Sequence, residues 1–247
     1  MNGNIKIMTY NVEFGASVTR GYWQYLSALW KYVIPHKSLA MRWIAKVINT
    51  ENIDVCTFVE IDGGSIRTSH SNYLRKLANM TVLKKYHFFP VRHVMKFANQ
   101  GNGILTKFEV TDTKNFMLAH NGENRCLSMS RLDVEGKIIT VMTTQLALGK
   151  ISRKKEIKEM FEIIRSVEGP VILTGDLNTT SDKELEMLKQ CGLSRLETTN
   201  TFPSWKPRRR IDYIYYSSHF EVLKYYVSDS LKASDHLPII AELMMKS

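Results

Sequence analysis

Apolar and polar residues fall in short blocks along this chain, and the period of the blocks changes at identifiable places. Ile5 to Tyr10 and Asp54 to Glu60 (DVCTFVE) are rich in β-branched and aromatic residues and end in polar clusters, the pattern of strands that deliver side chains at their ends. Between them Leu39, Trp43, Ile44, Val47 and Ile48 form a stripe at helical spacing with Ser38 as N-cap, so a helix is expected to join the two strands. The middle of the chain differs. Tyr86 to Met95, Gly103 to Phe108, Leu127 to Val134 and Ile138 to Leu146 read as closely spaced strands with short turns such as Glu135-Gly136, which predicts an antiparallel meander. Helical spacing returns at Ile157, Met160, Phe161, Ile164 and Val167, capped by Ser152 and stopped by Gly169-Pro170. A strand over Val171 to Thr174, a helix over Asp182 to Gln190, and strands over Ile211 to Tyr216, Phe220 to Val227 and Pro238 to Met244 complete the pattern.

Strands linked both by helices and by hairpins predict a mixed-sheet α/β (α+β) architecture rather than a purely parallel one. Two sheets packed face to face with helices outside would bury this many apolar strands, and one large mixed sheet is the alternative. With 247 residues, 44% of them apolar, the chain can bury a continuous core. No linker or repeat interrupts it, so residues 1–247 are expected to form a single domain.

Composition narrows the class. Cys56, Cys126 and Cys191 are an odd number at wide spacing without a CxxC pair, poor material for a disulfide framework or a zinc site. The chain enters an apolar strand almost at once, without a leader-like segment, and no uncharged apolar run approaches the roughly 20 residues that span a bilayer. The expectation is a soluble, cytoplasmic monomer without a transmembrane segment. A formal charge of +10 favours phosphate-bearing partners, either nucleic acid or an anionic lipid surface, although solvated lysines alone produce the same balance.

Six polar clusters stand where strands are expected to end: Asn11 with Glu13, Glu60, Asn102, Asp176 with Asn178, Asp212, and Asp235 with His236. Singly, each is an ordinary turn or cap residue. Together they hold more carboxylates than one Mg2+ needs, since that ion keeps several waters and takes one or two protein carboxylates. The surplus suits activation of water and orientation of the histidine, which hydrolysis of a phosphodiester requires.

In order, TYNVEFG, FVEID, GNGILTK, GDLNTT, RIDYIYYS and SDHLPI resemble the endonuclease/exonuclease/phosphatase superfamily, which includes exonuclease III-type nucleases, pancreatic-type deoxyribonuclease and neutral sphingomyelinases. The match runs from Asn11 to His236. The resemblance implies a four-layer α/β sandwich with the active site at one end of two packed sheets, and a Mg2+ cofactor with Mn2+ as the alternative. It implies Glu60 as the main metal ligand, with Asn11, Glu13 and Asp235 beside the metal. Asp176 would orient or deprotonate the attacking water, and Asn178 would donate to a phosphoryl oxygen. His236 would contact the scissile phosphate while Asp212 holds its ring. Asn102 would lie near the substrate, with Arg125 in support. Many relatives read T-H-L where this chain has Thr144-Gln145-Leu146. Gln145 can donate a hydrogen bond at that catalytic position but cannot carry a charge.

Two segments bear on the substrate. Lys206, Arg208, Arg209 and Arg210 precede Asp212 and suit either phosphate recognition, with Arg210 the nearest, or a solvated loop. Arg20 to Lys37 is aromatic and basic and lacks any acid. It is expected to form an amphipathic helix over Tyr22 to Ile34 at the site mouth, where Trp23 and Trp30 would stack bases, enter a lipid interface as a peripheral membrane contact, or pack on the core. The leading expectation is a nuclease-type phosphodiesterase. A phospholipid or sphingomyelin-type headgroup phosphodiesterase and a non-catalytic phosphate-binding protein of the same fold are the alternatives.

Overall fold

Side chains that alternate across a pleat let one strand serve two cores, and the strands of this protein do so in two stacked sheets. The computed structural model describes residues 3–16, 18–28, 39–94, 98–119 and 122–246. The elements, in chain order, are β1 (Asn4–Asn11), α1 (Trp23–Ala28), α2 (Ala40–Thr50), β2 (Val55–Asp62), α3 (Tyr73–Met80), β3 (Lys85–Val94), β4 (Ala98–Thr106) and β5 (Glu109–Leu118). They continue with β6 (Arg125–Val134), β7 (Lys137–Gln145), α4 (Lys150–Arg165), β8 (Val171–Asp176), α5 (Asp182–Gln190), β9 (Leu193–Arg195), β10 (Asp212–Ser217), β11 (Phe220–Val227) and β12 (Ile239–Met245).

One six-stranded sheet has the order β11-β12-β1-β2-β4-β3 and the other β5-β6-β7-β8-β10-β9. Both are mixed. The parallel pairs are β1 with β2 and β7 with β8, each joined through a helix-bearing crossover because a parallel pair cannot be closed by a tight turn. Between the sheets lies an apolar core that includes Ile7, Val55, Ile104 and Ile239 from the first and Leu132, Val141, Ile172 and Ile214 from the second. Thr174 Oγ1 donates to Thr57 Oγ1 across that interface at 2.8 Å. On the outer face of the first sheet Ile44 and Ile48 of α2 and Leu74 and Leu77 of α3 pack on Met8, Phe58 and Leu105. On the outer face of the second, Ile157 and Met160 of α4 and Leu185 and Leu188 of α5 cover Leu127, Met142 and Leu173. The result is the expected four-layer sandwich.

Several local expectations change. The buried stripe of α2 is Ala40, Met41, Ile44, Ala45 and Ile48, while Leu39 and Trp43 face solvent. Small Ala and flexible Met fill the tight helix–sheet seam and rotate the bulky Trp43 outward. Ser38 lies outside the described residues. Ser152 does not cap α4: Gly149 holds the N-cap position and Ser152 is buried inside the first turn. Of the expected helix over Tyr22 to Ile34, the described part is Trp23–Ala28. There Tyr22 and Leu26 are exposed, against the alternative in which this segment packs on the core. Helix α3 and strands β5 and β9 have no counterpart in the sequence pattern read above.

Candidate active site

Backbone geometry at the adjoining ends of β1, β2, β8 and β10 converts these strands into a cluster of acids. In β2 the pairing with β4 shifts register between Phe58 and Ile61, and Glu60 inside that bulge has φ of 55°. A bulge re-aims one side chain without ending the strand. Left-handed backbone recurs at Glu13 (φ 43°) and Asn178 (φ 52°), and strain of this kind in non-glycine residues gathers where a site must hold a geometry against local preference. Gly175 has a different reason. A Cβ there would stand 1.9 Å from the Thr144 carbonyl oxygen, so only glycine lets β8 approach β7 closely enough to set Asp176 beside Gln145.

Register places Asp176 directly opposite Asp212. Asp212 Oδ2 lies 2.8 Å from His236 Nδ1 and accepts from Thr201 Oγ1 at 2.5 Å. The loop carrying His236 is zipped to the loop carrying Thr201: Ser204 N–H donates to the Asp235 carbonyl at 2.7 Å and Leu237 N–H to the Thr201 carbonyl at 2.9 Å. Phe202 covers the imidazole at a centroid distance of 4.9 Å. From the other face Ala233 N–H donates to Tyr10 Oη at 3.1 Å, tying this loop to β1. His236 Nε2 is 3.9 Å from Asp176 Oδ2, too far for a hydrogen bond.

Asn11 joins the two acidic centres, donating from Nδ2 to Glu60 Oε1 at 3.3 Å and to Asp176 Oδ2 at 3.2 Å. Its own Oδ1 accepts from Glu13 N–H at 3.1 Å, and Glu13 Oε2 accepts from Val18 N–H at 3.2 Å. Glu60 is further held by Gln145 Nε2 on Oε1 and by Gln100 Nε2 on Oε2 at 3.2 Å. Asn178 N–H donates to Asp176 Oδ1 at 2.9 Å and Asn178 Nδ2 to the Leu146 carbonyl at 2.8 Å.

The electrostatics follow from this crowding. Burial and the charge of Asp212 push the Asp176 carboxyl up to about 7, with Glu60 adding to the rise and His236 and the Asn178 N–H opposing it. Burial pulls the His236 imidazole down, but the carboxylates of Asp212, Asp235 and Asp176 outweigh it and hold the ring well above its ordinary value. The surroundings therefore favour the cationic form of the ring, and they favour the protonated form of Asp176 relative to a free carboxylate. Ligand atoms of Asp176, Asp212 and His236 lie within 4.8 Å of one another, yet His236 and Asp212 are already bonded together. Glu60 lies outside that pairing, and among the described residues its oxygens accept from the neutral amides of Asn11, Gln100 and Gln145.

Other expected site residues are placed differently. Asn102 is buried, and its Nδ2 reaches Ser128 Oγ at 3.1 Å and the Thr143 carbonyl at 3.3 Å, tying the first sheet to the second and leaving only its oxygen for a ligand. Arg125 pairs with Glu123 at 3.0 Å. The Arg210 guanidinium pairs with Glu197 at 2.6 Å and lies over the Tyr213 ring. Asp235 Oδ1 accepts from Ser234 Oγ at 3.0 Å. Trp23 is exposed on α1, and Trp30 lies outside the described residues. Thr201, Phe202 and Gln100 escaped sequence reasoning. The run TFPSW just before RIDY carried the signal for the first two, while nothing local marks Gln100, whose partner is distant in sequence.

The sequence profile described as the Endonuclease/Exonuclease/phosphatase family matches residues 8–236. No curated protein matches the chain by sequence. Among solved structures, the endonuclease/exonuclease/phosphatase of Beutenbergia cavernae superposes with a TM-score of 0.76 at 20% identity, covering 99% of this chain and 72% of its own. The mannosyl-6-phosphatase of Bacteroides thetaiotaomicron gives 0.71 at 18% identity, covering 98% and 100%. The human Nocturnin catalytic domain with a bound sulfate anion gives 0.72 at 16% identity, covering 99% and 94%. At these identities the likeness is one of fold.

Proposed function

The chain belongs to the endonuclease/exonuclease/phosphatase family of phosphoester hydrolases, and from that premise we propose that it cleaves a phosphodiester by direct attack of water, assisted by a divalent cation of the Mg2+ or Mn2+ type. The observation that carries this reading is the convergence, on one end of two sheets, of His236 with Asp212 and Asp176 and an amide-held Glu60. The donor chemistry fits such a cation. Glu60, Glu13, Asp176 and Asp235 bring hard oxygen ligands, and the Asp176 carboxyl, raised by burial first and by the charges of Asp212 and Glu60 after it, would be relieved by a cation. Glu60 would hold the ion, with Glu13, Asn11 and Asp235 around it, and the bound ion would neutralise charge on the phosphoryl and leaving oxygens.

The protein's own groups do the rest. Asp176 takes the proton of the attacking water as its oxygen bonds to phosphorus and the ester oxygen departs. Asn178, with one amide hydrogen held by the Leu146 carbonyl, has its second available for a phosphoryl oxygen. His236 donates from Nε2 to the phosphate while Asp212 fixes Nδ1–H and thereby the ring orientation. The excess charge of +10 suits both substrate classes the sequence leaves open, nucleic acid and phospholipid headgroups. Hydrolysis of bis(p-nitrophenyl) phosphate tests the reading. Turnover should require Mg2+ or Mn2+, stop on chelation, resume on readdition and be lost in Glu60→Gln. Chelator-insensitive turnover would refute it, and phosphate binding without turnover would favour a non-catalytic protein of the same fold.

A further inference from the structure

Beside the active-site mouth the surface is apolar and cationic together. Tyr22 and Trp23 are each 63% exposed and Leu26 is 76% exposed, and in helical phase Leu26 follows Tyr22 by four residues and Trp23 by three, so they share a face. Gln24 Oε1 accepts the Thr19 and Arg20 N–H groups at 2.8 and 2.7 Å, which holds the start of α1 in place. The Tyr22 ring meets Trp205 edge to face at 5.2 Å. Trp205 is three residues beyond Phe202, the ring on His236, and a turn closed by Lys206 N–H to the Pro203 carbonyl at 3.0 Å keeps it close. The exposed face of α1 thus continues through Trp205 to the catalytic imidazole. The charges on these two segments have one sign: Lys206, Arg208 and Arg209 are exposed, and no acid occurs from Phe14 to Thr50 or from Thr198 to Arg210, while the exposed Asp229 stands beside Pro207.

We propose that the α1 face and the loop at 205–209 form a docking surface for an anionic lipid bilayer, which sets the active-site mouth against phosphate-bearing headgroups. The catalytic half of that statement rests on the phosphoesterase reading, whereas the docking does not. Tryptophan and tyrosine flanked by lysine and arginine match the boundary between acyl chains and headgroups. Leu26, the most exposed of the three, is aliphatic and offers nothing to a stacked base. A second copy of the chain would bring like charges together. The anionic leaflet supplies the complementary sign.

Cosedimentation with phosphatidylcholine vesicles, with and without phosphatidylserine, tests this in EDTA, so that turnover does not enter the readout. The protein should bind the phosphatidylserine vesicles with a blue shift of tryptophan emission and release them as salt rises. Trp23→Ser/Leu26→Ser should weaken binding at least about tenfold, with an unchanged melting temperature because both side chains are exposed. Should that variant fold poorly, Lys206→Ser/Arg208→Ser carries the test, with a loss of about tenfold. Binding of neither vesicle, or unaltered binding by the folded variants, would overturn the proposal. So would variants that lose affinity for single-stranded DNA while keeping their affinity for vesicles. None of these outcomes bears on the chelator test of hydrolysis.

Discussion

His236 Nδ1 lies 2.8 Å from Asp212 Oδ2 in a buried pair, and the carboxylate decides the charge of the ring. Burial alone would lower the imidazole, and Asp212 contributes the largest opposing charge. The ring must be protonated to donate to a phosphate. Activity should therefore persist through neutral pH and fall only as pH rises through the raised value. Asp176 must be ionised to accept a proton, so activity should fall as pH drops through about 7, with bound cation moving that limb lower. Asp212→Asn should shift the alkaline limb of kcat/KM to lower pH, since burial then dominates. An alkaline limb that stays in place would remove Asp212 from this role.

Metal binding should be visible in stability and should depend on pH. The folded-state value of Asp176 is raised. Its contribution is therefore fully present below the unfolded value and is lost as pH rises through about 7. A cation offsets the same charge, so Mg2+ should raise the melting temperature more under mildly alkaline than under acid conditions. Glu60→Gln should abolish the increment. Equal shifts in wild type and Glu60→Gln would place the ion elsewhere.

The Gln145 amide donates to Glu60. Its effect should accordingly run through the position of that carboxylate. Gln145→Ala removes one hydrogen bond of about 1 kcal/mol and should weaken Mg2+ affinity severalfold. Gln145→Glu sets two carboxylates together and should cost on the order of a hundredfold in activity at low Mg2+, partly recovered at high Mg2+. Unchanged Mg2+ dependence in both variants would show that Gln145 does not position Glu60.

Much of this was legible in the sequence because strands and acids come in paired blocks. GDLN closes the apolar run of β8, RIDY opens that of β10 and SDHLP precedes that of β12, and the structure brings Asp176, Asp212 and His236 together. Legibility failed where local polarity masks structure. The edge strand β5 reads EVTDTKNFML and buries only Leu118 fully, so alternation is blurred by polar residues on both faces. The short helix α3 combines a cap, Asn72 accepting from Arg75 N–H at 3.1 Å, with a buried stripe of only Tyr73, Leu74, Leu77 and Ala78, too short to stand out as a period in the sequence. Arg210 and Asn102 look like ligand contacts in a linear motif, but their partners, Glu197 and Ser128, are set by tertiary packing.

Arg67 shows such hidden support. Its Nε lies 2.6 Å from Asp62 Oδ2 in a fully buried pair, and its guanidinium stacks 4.2 Å over Phe14. It therefore links the end of β2, two residues past Glu60, to the turn that carries Glu13. Arg67→Ala leaves the Asp62 charge buried without its cation and should cost about 3–5 kcal/mol, measured by urea unfolding. Arg67→Met, which keeps the packing, should cost nearly as much if charge dominates. A loss below about 1 kcal/mol would mean that Ser65, Gly64 and Thr68, which also donate to Asp62, suffice alone.

The origin of the new oxygen in the product tests the account most directly. A single turnover of bis(p-nitrophenyl) phosphate in water enriched in the heavy oxygen isotope should place one label in p-nitrophenyl phosphate and none in p-nitrophenol. Asp176→Asn should slow that step on the order of a hundredfold or more without moving the label. Label in p-nitrophenol would mean cleavage of the carbon–oxygen bond. Unlabelled phosphate in the first turnover would mean attack by a protein carboxylate. Either result would contradict direct attack of water activated by Asp176.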